Sequence, residues 1–442
     1  MSNTTPQEQL MLELINRGRM DPAGEAARFG IALNQGITGT QITSTPKQVL
    51  AGSDLLNLAA DRHSTWMLNY DVFSHQEASR QPNSYYGVNP IDRMRAAGYA
   101  FSGSYAAGEN ISMLSSTGTV DLTKAVAAQY ESLFRSPGHR QNMLNGDFRE
   151  VGIGQISGVY TTSGVNYNTS MITQNFAKSG TGVFITGVVY NDTKVNDDFF
   201  SVGEQVTNVA VSSTGATTDP TGAGGGYELM FSGTGAKTVS FALSTGTVSV
   251  QTTLGSSNIK IDLVNGNEIW ANASVTAVTT NIKELHALGI EAISLTGSSA
   301  AESLYGNKAG NVLNGMGGND TLIGNGGNDT LIGGAGKDTM TGGAGDDRFV
   351  FNLMSDSAVG TNRDVIVDFQ DSGADLIDLT SLYSGTLGYS GTATPGAYSV
   401  GVKASGTDVI VMVNLDADAA IEMEILLKGT KTSEMSKADF LL

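Results

Sequence analysis

The sequence predicts a multi-domain chain built in three architectures: an α+β sandwich, then an antiparallel β-sandwich, then a parallel β-roll. Three observations carry this. In residues 1–180, apolar residues first recur at helical spacing and later alternate as strands do, the order of an α+β layer structure. In residues 183–272, apolar and polar residues alternate between glycine turns. From Gly297 onward a nine-residue phrase repeats in phase. These patterns divide the chain into 1–180, 183–272, 273–351 and a C-terminal β region, 352–442.

Composition agrees with a β-rich chain dense in turns, since 56 of the 442 residues are Gly and only 15% are charged. The formal net charge of -18 argues against nucleic acid and anionic membrane surfaces as partners and favours cations. No apolar run is long enough for a transmembrane segment. The opening "MSNTTPQEQL" has no basic stretch followed by an apolar one, so no cleavable secretory signal is expected. The absence of cysteine excludes disulfides and thiolate zinc sites, and it suits a chain exported unfolded.

The first unit opens with a helix start: Thr5 as N-cap, Pro6 at the first position and Glu8 at the third. Leu10, Met11, Leu14 and Ile15 follow at helical spacing before Pro22. A second helix is predicted over about 53–70, with Leu56, Ala59, Ala60, His63, Met67 and Tyr70 on one face. A third covers about 121–135, aligning Leu122, Val126, Tyr130 and Leu133, and Ser136-Pro137 then restarts the chain. "EVGIGQI" and "SMITQNFA" read as strands.

Four phrases stand in order across this unit: "LINRGRMDPAGEAARFG", "WMLNYDVFSHQ" with "GENIS", "SPGHRQNMLNGDFREVGIG", and the final strand "MITQNFA". Together they make residues 5–180 resemble the CAP superfamily of cysteine-rich secretory proteins, antigens and pathogenesis-related proteins, in its bacterial SCP-like branch. The resemblance implies an α-β-α sandwich with two histidines and acidic residues in a central cleft. His75 of "FSH", Glu109 of "GEN" and His139 of "GHR" match those positions. Two imidazoles and a carboxylate would suit a zinc ion. The nearest match to the family's second glutamate is Glu131, but it shares the polar side of its helix with Lys124 and Arg135, as a solvated charge would. His63, on an apolar helix face, reads as a core or cleft-lining residue before a ligand. His286, in "KELHALG", receives no role.

A His–Glu–His cleft could serve a base or a metal-bound water. However, no serine or cysteine nucleophile and no HExxH motif is evident, and the resemblance to the CAP superfamily implies binding of lipids, sterols or partners more than catalysis. Three readings stay open. The cleft or its rim binds an extracellular lipid, sterol-like molecule, glycan or protein; or it is a metal-assisted, protease-like hydrolase; or the whole chain is a calcium-dependent surface or matrix adhesive.

The middle stretch resembles the carboxypeptidase-regulatory or prealbumin-like modules of extracellular proteins. Asp192, Asn196, Asp197 and Asp198 could hold a Ca²⁺, though their spacing completes no recognisable loop and solvated turn charges are the simpler reading.

The repeat units begin at Gly297, Gly306, Gly315, Gly324, Gly333 and Gly342 and follow G-G-x-G-x-D-x-U-x, with U large and apolar. Glycines bring backbone carbonyls into a turn, aspartate adds a carboxylate, and hard Ca²⁺ takes several oxygens. Gly315, Gly318, Asp320, Gly324, Gly327, Asp329, Gly333, Gly336, Asp338, Gly342, Gly345 and Asp347 are the expected calcium residues. Leu304, Leu313, Leu322, Leu331, Met340 and Phe349 are the expected buried positions. One coil takes two units, so Asp320 should meet Asp338, and Asp329 should meet Asp347. Glu302 and Asn311 replace the aspartate in the first two units, where weaker or missing sites are expected. The stretch resembles the RTX calcium-binding proteins. "ALGIEAISLTG" reads as the opening strands of the roll.

Behind the repeats, "DVIVDF" and "DLIDL" alternate as half-buried strands, and the chain ends "KADFLL". This region resembles the C-terminal part of serralysin-type proteins, which the type I secretion machinery recognises as an uncleaved signal. The resemblance implies Gram-negative export and an extracellular location.

Overall fold

In a computed structural model the protein is described over residues 4–77, 87–369 and 374–442. It divides into two compact units: Met1–Gly246 with Leu254–Gly266, and Thr247–Thr253 with Asn267–Leu442.

Among the described residues of the first unit, six helices flank a four-stranded sheet. They are α1 (Pro6–Met20), α2 (Pro22–Arg28), α3 (Asp54–Asn69), α4 (Pro90–Ala96), α5 (Leu122–Arg135) and α6 (Pro137–Met143). The capping box at α1 is present: Thr5 Oγ1 accepts from the Glu8 N–H, and the Glu8 carboxylate accepts from the Thr5 N–H at 2.8 Å. The sheet strands are β1 (Ala51–Gly52), β2 (Ala106–Ser116), β3 (Glu150–Thr162) and β4 (Val165–Lys178). Their order is β1-β3-β4-β2, antiparallel except for the parallel β1–β3 edge.

Strand periodicity distributes the core over both faces of the sheet. Ile172 and Phe176 pack with Met11, Leu12, Ile15, Val126, Tyr130 and Phe134 of α1 and α5. Met171 and Ala177, facing the other way, pack with Trp66 and Met67 of α3 and with Leu56 and Met94. This is the expected α-β-α sandwich.

Two glycines let α3 lie against the sheet. A Cβ on Gly154 would come within 2.5 Å of the Ala60 carbonyl carbon, and one on Gly152 would overlap the Leu56–Asn57 peptide. The alternation in "VGIGQI" is therefore a helix seat as well as a strand pattern.

Beyond Lys178, β5 (Val183–Tyr190) pairs antiparallel with Gly226–Phe231 and parallel with Ile259–Val264, so this stretch mixes both pairing senses. Its acidic turn is organised by its own carboxylates. Asp192 accepts from the Asp197 and Asp198 N–H groups, and buried Glu204 from those of Lys194, Val195 and Ser201.

The second unit is built around a parallel roll, joined by antiparallel pairs at residues 250–252 and among Ser399–Ser405, Asp408–Asn414 and Met423–Leu427. The last three residues of every nonapeptide form a strand, from Ser303–Tyr305 to Arg348–Val350. Each strand pairs in parallel with the one two repeats on: Leu304 with Leu322, Leu313 with Leu331, Leu322 with Met340, and Leu331 with Phe349. All six apolar positions are fully buried. The stacking starts earlier than the repeats, since Glu268–Ala271 pairs with Glu284–Ala287, and Val275–Ala277 with Ser294–Thr296. It also outlasts them, because Asp364–Ile366 and Leu376–Asp378 extend the two columns. Met423–Leu427 and the terminal Phe440–Leu441 then pair onto those strands. No described helix is long and apolar enough to cross a membrane.

Candidate functional site

Of the expected cleft residues, Glu109 lies at a buried position on β2 and His75 meets it there. His75 Nδ1 lies 2.9 Å from Glu109 Oε1. Arg93 of α4 donates from Nη2 to Glu109 Oε2 at 2.6 Å. Behind them, His63 of α3 is fully buried, with Nδ1 2.9 Å from Glu77 Oε1 and Nε2 3.8 Å from Glu109 Oε1. Arg93 Nε lies 3.6 Å from Glu77 Oε1, so one guanidinium spans both carboxylates. Burial pushes the Glu109 carboxyl up, but the His75 hydrogen bond and the charges of His63 and Arg93 outweigh it and hold it below its ordinary value.

His139 enters from α6. Its Nδ1 sits 2.9 Å from Ser136 Oγ, the residue that caps the helix. Burial, and then the neighbouring His75, push its imidazole below its ordinary value. The loop is tied to β2 by Asn142, which donates to the Glu109 carbonyl and to Asn110 Oδ1, and by Asn110, which donates to the His139 carbonyl. Both imidazoles are thus held by Nδ1, and among the described residues neither Nε2 has a hydrogen-bond partner. The His75 side chain is 47% exposed, so its free edge can reach a ligand. Glu131 lies in an exposed ion pair with Arg135, at 2.8 Å.

Glu77, Arg93 and Ser136 complete this site and are not among the residues the sequence singles out. Ser136 stands within "SPGH" and reads as a cap. Arg93 sits on a short helix beside buried Met94, where an arginine gives no sign that it turns inward.

A second site runs along the roll. The Asp320 N–H donates to Asp338 Oδ1 at 2.7 Å, and the Asp329 N–H to Asp347 Oδ1 at 2.8 Å, the expected pairings. Oδ1 of each aspartate is used in this way, whereas Oδ2 of Asp320, Asp329, Asp338 and Asp347 is buried with no partner among the described residues. Carbonyls converge on the same space: a Cβ on Gly315 would stand 2.6 Å from the Gly333 oxygen and would overlap Asp320 Oδ2. Orphaned carboxylate oxygens beside clustered carbonyls form an oxygen cradle for a hard cation, so the donor set fits Ca²⁺. The turn needs left-handed glycines at Gly318, Gly327, Gly336 and Gly345, whose φ values are +119°, +94°, +150° and +147°.

The first two units differ. Glu302 accepts from the Ser298 N–H and hydroxyl, and Asn311 Oδ1 accepts from the Asn307 N–H. Their side chains close their own loops. At the other end the ladder continues past the glycines. The Asp338 N–H donates to Asp364 Oδ1 and the Asp347 N–H to Asp375 Oδ1, and Asp364 Oδ2 is buried without a partner among the described residues. Asp368 accepts from the Gly342 and Gly343 N–H groups. The signal for these was present: Asp364-x-Ile366 and Asp375-x-Ile377 keep the D-x-U spacing of the repeats. Burial, above all, raises the ladder carboxyls, to about 7 for Asp320 and Asp329, about 6 for Asp338 and Asp347, and about 8 for Asp364.

Comparison with known families agrees with both regions. Residues 12–176 match the cysteine-rich secretory protein family, and residues 303–442 match the peptidase M10 serralysin C terminal. Among solved structures, the AlgE6R3 subunit of a mannuronan C5-epimerase from Azotobacter vinelandii shares 33% identity. That match covers 35% of this chain and 84% of that one, with a TM-score of 0.28. An extracellular protein containing an SCP domain from Bacillus anthracis shares 26% identity over 30% of this chain and 35% of that one, with a TM-score of 0.21. No curated protein matches the chain. The chain therefore carries a CAP domain and a serralysin-type C-terminal domain with RTX repeats.

Proposed function

We propose that this chain, carrying a CAP domain and a calcium-binding serralysin-type domain, is a secreted protein that holds an extracellular ligand at its histidine cleft. The observation that carries the reading is the presentation of two Nε2 atoms, His75 and His139, on rings fixed from behind. Fixed imidazoles with accessible nitrogens suit a ligand's acidic group, or a divalent ion that in turn holds one. If zinc is the occupant, His75 and His139 are its protein ligands. Glu109, with both oxygens engaged, then orients His75 from behind. Zinc there would act as a Lewis acid with coordination positions left open. His63, Glu77 and Arg93 keep the base of the cleft dry and hold the Glu109 charge in place.

The C-terminal domain supplies export and calcium in this reading. Calcium binds along the Asp ladder, and type I machinery takes the chain out through its C-terminal region. The Ca²⁺ concentration outside the cell then drives the roll to fold, because metal binding and ordering of the ligands are coupled.

The test is mass spectrometry of the secreted, Ca²⁺-loaded protein, comparing wild type with His75→Ala/His139→Ala. Native spectra report metal, and solvent extracts report lipid. Zinc or a small molecule retained by wild type and lost from the variant supports the cleft as the binding site. Identical bound species in both proteins would remove the cleft from the function. A metal lost from the variant would also justify assays for hydrolysis, the second reading for the same residues.

A further inference from the structure

We propose that Glu268, Glu284 and His286 form a site for a borderline divalent cation, of the Zn²⁺ or Cu²⁺ class, on the outer face of the roll. The strands Glu268–Ala271 and Glu284–Ala287 pair in parallel with Glu268 beside Glu284 and Trp270 beside His286. The next strand places Tyr305 beside His286. The intervening Ile269 and Leu285 are fully buried, so strand alternation turns the proposed ligands outward, together with Trp270 and Tyr305.

Three features make this more than a group of surface charges. First, the donor atoms of all three residues lie within 4.8 Å of one another, with His286 Nε2 2.9 Å from Glu284 Oε2. Second, the imidazole is clamped on both faces. The Trp270 ring stacks at 4.0 Å with a 6° tilt, and the Tyr305 ring at 4.4 Å with a 16° tilt. The ring cannot swing away, so its nitrogen is presented in one orientation, the preorganisation a metal site needs. Third, two carboxylates stand side by side on adjacent strands, in register with each other, so one ion can take an oxygen from each. One imidazole nitrogen with two carboxylates suits Zn²⁺ or Cu²⁺ better than Ca²⁺, which prefers an all-oxygen shell. The site is separate from the Asp ladder, whose ligands point into the loops.

Trp270, in contact with the clamped ring, is a built-in reporter. The experiment uses the full chain, Ca²⁺-loaded, with His75→Ala/His139→Ala so that the cleft histidines cannot contribute. Cu²⁺ is titrated at pH 7.5 while tryptophan fluorescence is followed; the chain has only one other tryptophan, Trp66. The expected result is saturable quenching by one equivalent, with nitrogen coupling in the electron paramagnetic resonance spectrum. Glu268→Gln/Glu284→Gln, which leaves the ring stack in place, should weaken binding at least about tenfold. His286→Asn should remove the nitrogen coupling. Quenching that never saturates, or affinity unchanged in the Glu double variant, would overturn the proposal and leave Glu284–His286 an ion pair only. Since the cleft histidines are absent from the test protein, either outcome leaves the cleft reading untouched.

Discussion

Arg93 lies between Glu77 and Glu109 with its side chain and theirs almost wholly out of water. Removing one partner from a buried ion network leaves the others charged and unpaired. Arg93→Ala should therefore cost about 3–5 kcal/mol in urea unfolding of the first unit. Arg93→Lys should cost less but still loosen His75, because an ammonium lacks the planar fork whose Nε faces Glu77 while Nη2 bonds Glu109. His75→Ala removes a half-exposed ring but also one partner of buried Glu109, so it should cost about 1 kcal/mol, less than Arg93→Ala, while reducing zinc binding in calorimetry. Single residues of the cleft were partly legible. His75, Glu109 and His139 stand in short phrases that announce themselves; the structure bonds His75 to Glu109, while His139 is held by Ser136. Arg93 and Glu77 were not legible, because sequence reports that a residue is charged and not that its charge is swallowed by two neighbours. In the roll, Asp338→Asn should weaken calcium uptake in the column it shares with Asp320 and Asp364. The column of Asp329 and Asp347 keeps its ligands, so calorimetry should show reduced stoichiometry and not abolition.

Elements were easier to read than their contacts. α1, α3 and α5 occupy almost the predicted ranges because cap, apolar spacing and proline act within a few residues of one another. The parallel strands of the roll fall on the last three residues of each nonapeptide for the same reason. What the sequence concealed was seating. Gly152 and Gly154 looked like strand residues of modest propensity, yet α3 lies so near that neither position admits a side chain. Gly154→Ala should cost about 1–3 kcal/mol by forcing the helix off the sheet, with Gly152→Ala similar. A thermal melt followed by circular dichroism checks both. The ends of the roll were concealed likewise. The glycine phrase stops at Phe349, but hydrogen bonding continues through Asp364 and Asp375, since a column needs a carboxylate and a buried side chain and not the full phrase.

At the scale of the molecule, the calcium proposed for the ladder would compete with protons for the same oxygens. Burial raises the carboxyls of Asp320, Asp329, Asp338, Asp347 and Asp364 from 3.8 to between about 6 and about 8. The ion-free folded roll then binds more protons than the unfolded chain between about pH 4 and pH 8. Its stability is therefore greatest at the acid end and falls as pH rises through that window. In a chelator, the roll should melt at lower temperature at pH 7.5 than at pH 5. Millimolar Ca²⁺ should erase the difference, read by far-ultraviolet circular dichroism; a melt independent of pH in the chelator would contradict the ladder. By itself the sequence determined the local and periodic features: the helices and their caps, the nine-residue coil, the pairing of Asp320 with Asp338 and of Asp329 with Asp347, and the histidine phrases. Each depends on residues close in the chain or repeated at a fixed interval. Only the tertiary structure decided which charges are buried together, which glycines are helix seats, where the roll ends, and that His286 stands clamped between Trp270 and Tyr305. Those depend on contacts between distant residues, which no local pattern records.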